Sequence, residues 1–287
     1  MPFDAMFLSA VCDELRQELI GARVEKIQQP ARDMVVLQLR GKARLLLSAS
    51  GSRPRFHVTQ ASYENPAQPP MFCMLLRKHL AGGRIAAIEQ PTAERSVELT
   101  LDCTDEMGTP CQKRLILELM GRNSNLILTD GENRILDCMR RVDFEMSEQR
   151  QVLPGLFYHL PPGQGKRDAM QTDLDTLRTL LAGVPGQKAL CDWLLETFGG
   201  ISPLVCRELA FRVFGQVDCD VSSLTDAEKA QAAQRLFAAL QTLHTGKKTP
   251  TVLLKDERPW DFTCVPILQY EGLVSQQTAP SFSALLD

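Results

Sequence analysis

Several short stretches hold residue types whose spacing could do chemistry. Met1 is followed by Pro2, and a proline amine exposed by loss of Met1 is a nucleophile able to form a Schiff base. In ETFGGISPLVCREL, Gly199 and Gly200 separate two helical patterns. The backbone N–H groups of such a turn, with the N-terminus of the second helix, can hold a phosphate, against which stand the nearby carboxylates Glu196 and Glu208. PPGQGKRD, residues 161–168, has a Gly-Lys pair but lacks the first glycine and the final Ser/Thr of a P-loop, so it reads as a flexible basic linker. The last stretch is ELMGRNSNLIL, Glu118 to Leu128. Leu115, Leu117 and Leu119 alternate with Ile116, Glu118 and Met120, which puts Glu118 on a strand face with Ile116 and Met120. A carboxylate there is either at the edge of a buried face or paired with a cation. Gly121 and the asparagines suit the positive φ of a tight connection, but turn chemistry does not require Arg122.

No G-x-S-x-G, H-E-x-x-H or comparable hydrolase signature occurs, and no two carboxylates stand out as an acid/base dyad. The nine cysteines form no C-x-x-C pair, and the four histidines lie far apart. They read as reduced, buried thiols of a cytosolic protein rather than as disulfides or a zinc site. No metal, cofactor or small-molecule substrate is expected. Net charge is −3, which excludes a polycationic surface. Residues 1–172 carry 22 Lys/Arg against 21 Asp/Glu, and the rest 10 against 14. Any nucleic-acid contact is therefore a local basic patch in the first part. No apolar run reaches membrane-spanning length, and MPFDAMFLSAVCDEL lacks the features of a secretory leader.

Asp4 is an N-cap candidate for a helix with Leu8, Val11, Leu15 and Leu19 on one face, ending at Gly21. Short strand-like segments follow up to about residue 140, interrupted by a helix in PPMFCMLLRKHLAGG whose late Arg77, Lys78 and His79 complement the helix dipole. Connections this short predict antiparallel pairing. From about residue 172 to Gly246 the pattern is almost entirely helical, with Ser202-Pro203 opening one helix and Thr225 with Glu228 a capping box. Strand-like TVLLKDE, WDFTCVPIL and LVSQQT then return. The expected fold class is α+β: an antiparallel β-sandwich or barrel-like domain with flanking helices over 1–172, an all-helical domain over 173–246, and strands over 247–287 that rejoin the first domain.

Two resemblances bear on these residues. The first helix and the Gly-Ala-x-Val of Gly21 to Val24 look like the start of a formamidopyrimidine-DNA glycosylase. That resemblance implies a proline nucleophile followed at once by a glutamate; Phe3 stands there instead, and zinc-finger cysteine spacing is missing. The fold analogy is kept and the chemistry is not. The second is more specific and runs through the whole chain. Glu118 to Asn125, the basic MRRV, Arg150 to Tyr158 (RQVLPGLFY), Gly200 to Leu204 (GISPL) and the late Asp261-Phe262 together resemble the NFACT family. That family includes the ribosome quality control factor RqcH and proteins called fibronectin-binding protein A.

The NFACT resemblance implies a glycosylase-like first domain without glycosylase activity, then a helix-hairpin-helix domain. It implies that a coiled coil and further RNA-binding sequence follow in the full family, so this chain covers the N-terminal half. It implies a non-enzymatic, cytoplasmic factor that binds the large ribosomal subunit holding peptidyl-tRNA and recruits tRNA for template-free C-terminal alanine tailing. The tRNA-binding positions it carries over are Glu94, Arg95, Glu118 and Leu119, joined in the signature by Arg122, Asn123, Ser124 and Asn125. Glu94 stands where the family usually has Asp, and Asn123 where it usually has His. From the residues themselves, Arg95 and Arg122 offer planar donor forks to phosphate or a base edge. Arg77, Lys78, Arg140, Arg141, Gly199 and Gly200 are candidates for RNA backbone contacts. A fibronectin-binding adhesin is the alternative, and a DNA glycosylase or lyase a weaker one.

Overall fold

The computed structural model describes residues 3–91, 93–163, 165–184 and 186–287, so the candidate nucleophile Pro2 lies outside the described residues. Backbone contacts divide them into two compact units. The first comprises Leu8–Pro91, Arg95–Pro162 and Ser281–Asp287; the second comprises the described residues of Met1–Phe7, Thr92–Glu94 and Gly163–Pro280. The helices and antiparallel sheets expected of the first domain are present, whereas the second unit, expected to be all-helical over 173–246, carries strands as well.

The first unit holds most of α1 (Ala5–Leu19), then β1 (Val24–Ala31), β2 (Met34–Leu39), β3 (Arg44–Ser48), β4 (Arg55–Val58), α2 (Met71–Leu80), β5 (Arg84–Glu89), β6 (Ser96–Thr104), β7 (Pro110–Glu118), β8 (Asn125–Asp130) and β9 (Ile135–Cys138). A 3-10 turn, Gly121–Asn123, joins β7 to β8. Strands β1 to β4 form one antiparallel sheet in sequence order, and β5 to β9 form another. Val35, Val36 and Leu37 of β2 and Leu45, Leu46 and Leu47 of β3 are all buried, so these strands are covered on both faces. Consecutive apolar residues are what such strands need.

In the five-stranded sheet, alternation sorts the faces. Val97, Leu99, Leu101, Leu115, Leu117, Leu126 and Leu128 are buried on one. The register pairs Ser96 with Glu118 and Glu118 with Asn125 on the other. The segment after β9 folds back over that second face, held by the Val142–Val152 bridge and by the Ile135 N–H donating to the Leu156 carbonyl. Ile116, Ile127, Ile135, Cys138 and Val152 form the core beneath it, with Val142 and Tyr158 packed against them. All nine cysteines are free thiols, seven of them buried. Burial pushes the Cys12 thiol up to about 12.

The second unit has β10 (Arg167–Asp168), α3 (Leu174–Ala182), α4 (Leu190–Thr197), β11 (Phe198–Gly199), α5 (Pro203–Phe214) and α6 (Asp226–Thr245). The predicted caps are present: Ser202 accepts from the Val205 N–H, and Thr225 and Glu228 form the capping box. Residues 166–168 are not a free linker, because Lys166 Nζ donates to the Leu195 carbonyl and β10 pairs in parallel with β11.

The strands after residue 250 depart from expectation. β12 (Thr251–Lys255), β13 (Arg258–Thr263) and β14 (Ser275–Thr278) form a three-stranded sheet of their own, in the order β13-β12-β14, and belong to the second unit. The reason lies in α5. Glu208 is fully buried and accepts from the N–H groups of Leu268 and Gln269, while Gln269 Nε2 donates to the Leu204 carbonyl and Arg212 Nη2 to that of Pro266. These bonds tie the chain after β13 to the helix. Only residues 281–287 return to the first unit.

There, α7 (Phe282–Leu286) packs against β4. The Glu14 carboxylate accepts from the N–H groups of Phe282 and Ser283 at 2.7 and 2.8 Å. Asp287 takes hydrogen bonds from Thr59 Oγ1 and, at 2.7 Å, from the Gln60 N–H, and lies 3.4 Å from His57 Nε2. The His57 side chain is fully buried, and burial holds its imidazole down at about 4 against the pull of Asp287. The folded chain thus prefers neutral His57, whereas the unfolded chain protonates it near 6.5. Its contribution is complete above about pH 6.5 and is lost as pH falls toward 4. Urea unfolding at pH 6.5 and pH 5 should therefore show about 2 kcal/mol less stability at pH 5 from this group. His57→Gln should flatten that slope; an unchanged slope would refute the assignment.

Candidate nucleic-acid interface

At the Glu118 end of β7 the carboxylate side chain is only 1% exposed and needs a cation. It finds one in Arg150, 32 residues on. Arg150 Nη2 donates to Glu118 Oε1 at 2.5 Å and Nη1 to Oε2 at 3.2 Å, a two-pronged pair. The Tyr158 hydroxyl donates to the same Oε1 at 3.0 Å. Arg150 Nε is taken up by the His159 carbonyl at 2.8 Å, and the guanidinium sits 5.3 Å from the Tyr158 ring centroid. Burial pushes the Tyr158 phenol up, and the Glu118 charge adds to the shift, so the hydroxyl remains a donor. Of the two alternatives for Glu118, the paired carboxylate is the one found.

The rest of the signature is also mostly inside. Leu119 is buried and donates its N–H to the Arg95 carbonyl at 2.8 Å. Ser124 is buried, its Oγ accepting from the Met120 N–H. Asn125 is buried and bonds both main-chain groups of Arg140: Nδ2 donates to its carbonyl, and Oδ1 accepts its N–H. Gly121 has φ +56°, as the turn required, but neither Asn123 nor Asn125 has positive φ. Asn125 is there for its side-chain bonds. Glu118, Leu119, Ser124 and Asn125 are all buried in this chain, and their hydrogen bonds build the edge.

What they build is a row of exposed arginines. Arg95, Arg122 and Arg140 are all exposed, and Arg140 Nη1 donates to the Arg122 carbonyl. Among the described residues, the guanidinium groups of Arg95 and Arg122 make no hydrogen bond or ion pair. Asn123 is exposed on the same turn. Arg141 is exposed and bonded to Asp137 at 3.4 Å. Glu94 is half-buried and belongs to the second unit.

The remaining candidates lie elsewhere. Lys78 pairs with Glu106 at 2.8 Å, in the β6–β7 turn. That is the far end of the hairpin from Arg122, nine residues of strand away or about 30 Å. Arg77 is bonded through Nε to the Ile27 carbonyl. Gly199 and Gly200 are not open to phosphate. The Ser202 N–H after them donates to the buried Asp4 carboxylate at 3.0 Å, the Gly200 carbonyl accepts from the Met6 N–H, and Ala93 crowds Gly200, where a Cβ would lie 3.3 Å from the alanine methyl. A carboxylate of the chain itself already occupies the anion position. Glu208, counted as surface acidity in the sequence, is buried and paired with Arg212.

The model of the NFACT N-terminal and middle domains matches residues 4–287. The chain belongs to the NFACT family. It is similar to the Rqc2 homolog RqcH of Bacillus subtilis, 40% identical over 216 residues, covering 74% of this chain and 38% of that protein. The archaeal Rqc2 homolog aRqcH of Methanocaldococcus jannaschii is 26% identical over 275 residues, covering 92% of this chain and again 38% of the relative. This chain thus spans well under half the length of these curated relatives. Among solved structures, the N-terminal part of the fibronectin/fibrinogen-binding protein of Streptococcus suis superposes with a TM-score of 0.80 at 29% identity, covering 100% of this chain and 98% of that one.

Within this NFACT chain, two signature stretches meet at one ion pair. Arg150 and Tyr158 bound the RQVLPGLFY motif, and both hold Glu118. Sequence reasoning noted the motif but assigned it no role; the carboxylate on a strand face with Ile116 and Met120 signalled the need for a cation without naming which one. Breaking such a pair leaves an unpaired buried charge, so Arg150→Ala should destabilise by about 3–5 kcal/mol. Arg150→Met combined with Glu118→Leu should recover most of that loss. Urea denaturation of the three chains tests this, and a double variant as unstable as Arg150→Ala would refute the pairing.

Proposed function

We propose that this chain is the tRNA-binding part of a ribosome quality control factor. It acts in the cytoplasm on large ribosomal subunits that hold peptidyl-tRNA after a stall. There it brings in tRNA for template-free C-terminal alanine tailing of the nascent chain, by binding and positioning rather than through a catalytic group. The observation that carries this reading is the exposed edge of Arg95, Arg122 and Arg140, set on a rigid strand end by a buried clasp. Arginine forks suit phosphate and base edges. Structured RNA is read through shape and exposed loops, which needs few but well-placed donors. A net charge of −3 fits a partner already delivered by the ribosome better than capture from bulk solution. The names of the relatives support the ribosomal setting. Helices α4 and α5 with their glycine turn are read as the helix-hairpin-helix part, with the turn bonded internally.

A second reading rests on the solved structures named for fibronectin or fibrinogen binding. It predicts saturable binding of the chain to immobilised fibronectin. Among the described residues no helix is long and apolar enough to cross a membrane.

Arg95→Glu and Arg122→Glu should each weaken binding to bulk deacylated tRNA at least about tenfold. Both side chains are exposed, so unfolding free energies should stay within about 0.5 kcal/mol of the parent. Fluorescence titration with a thermal melt on each chain measures both. Unchanged tRNA affinity in folded chains would count against the reading, and fibronectin binding lost with the same variants would favour the second.

A further inference from the structure

The loop between β3 and β4, Ser-Gly-Ser-Arg over residues 50–53, lies directly beside the signature turn. At Gly51 an added Cβ would meet the Arg122 Cα at 3.6 Å and the Gly121 carbonyl at 3.9 Å. The loop is internally braced: Ser48 Oγ donates to the Arg53 carbonyl and accepts from the Ser50 N–H. The Ser50 and Ser52 hydroxyls lie 3.5 Å apart. Gly51, Ser52 and Arg53 are all exposed. Among the described residues, the backbone N–H groups of these three donate to nothing, and the Arg53 guanidinium has no hydrogen-bond or ion-pair partner.

Exposed, unpaired backbone N–H groups and hydroxyls are donors open to an anion, and a guanidinium on the same loop adds charge and direction. Here a second guanidinium, Arg122, enters from the neighbouring turn, and Arg140 is held against that turn through the Arg122 carbonyl. Ala49, just before the loop, donates its N–H to the Asp33 main-chain carbonyl, and the exposed Arg32 lies in that same turn. We infer that the Ser50–Arg53 loop and Arg122 together hold one backbone phosphate of the bound RNA.

This rests on the reading of the arginine edge as an RNA-binding surface and extends it to a loop from the other sheet. The contact is independent of base identity, because it is made to the backbone. It fixes where along the RNA the donor fork of Arg95 falls. The glycine lets the loop lie close against the signature turn, and the serines add donors that turn to suit.

The test is fluorescence titration of the whole 287-residue chain with bulk deacylated tRNA across a salt series. The variants are Arg53→Ala, Arg122→Ala, the two combined, and Lys78→Ala as a control from the far end of the hairpin. Arg53→Ala should weaken binding by roughly tenfold and lower the slope of log affinity against log salt by about one. The double variant should lose less than the product of the two single losses, since both side chains serve the same phosphate. Lys78→Ala should leave affinity unchanged. If Arg122→Ala weakens binding and Arg53→Ala does not, the loop is not part of the site and the inference fails while the RNA reading stands. Fully multiplicative losses would mean separate phosphates and would also overturn it. If neither variant affects tRNA binding and thermal melts show both folded, the RNA reading fails as well. Competition by inorganic phosphate alone at millimolar concentration would point to a free-anion site and overturn the assignment to RNA.

Discussion

A carboxylate with 1% exposure governs the first unit. Removing Glu118 from water costs several kcal/mol unless charge and hydrogen bonds replace the solvent. Arg150 and Tyr158 supply both, and in doing so fix the segment after β9 across the face of the sheet. That segment covers Ile116, Ile127 and Cys138, and its start is pinned by Asn125 through both main-chain groups of Arg140. The burial of Glu118, the covering of the core and the placing of Arg140 thus involve the same segment of chain.

The polar signature therefore divides by depth. Glu118, Leu119, Ser124 and Asn125 spend their hydrogen bonds inside, on Arg150, Arg95, Met120 and Arg140 respectively. Arg95, Arg122 and Asn123 are left outside. The buried residues position the exposed ones. Other cations counted from the sequence serve the fold: Arg77 supports β1, and Lys78 faces Glu106 at the opposite end of the β6–β7 hairpin.

What could be read from the sequence was what is local. The alternation in β6 to β8, the caps at Asp4, Ser202 and Thr225, and the glycine at the β7–β8 turn each depend on residues within a few positions, and all are present. What could not be read was pairing at a distance. Nothing in the spacing of Glu118 names Arg150. Nothing in TVLLK says which sheet it joins; that was decided by the main-chain hydrogen bonds to Glu208 on α5. The turn at Gly199 and Gly200 looked open because its anion, Asp4, lies nearly two hundred residues earlier. Arg53 was passed over because only the fold brings its loop to Arg122.

The β6–β7–β8 register carries one more implication. Neighbouring strands are spaced at about 4.8 Å by their hydrogen bonds, and residues advance along them in steps of about 3.3 Å. A slip of one residue would turn Glu118 into the leucine face, so that step is forbidden. A slip of two would move the turn by about 7 Å and break the clasp. The positions open to the arginine edge are thus discrete, and only one keeps the carboxylate paired. The sheet works as a gauge block: its dimensions are set by peptide geometry, and thermal motion of long side chains cannot recalibrate them.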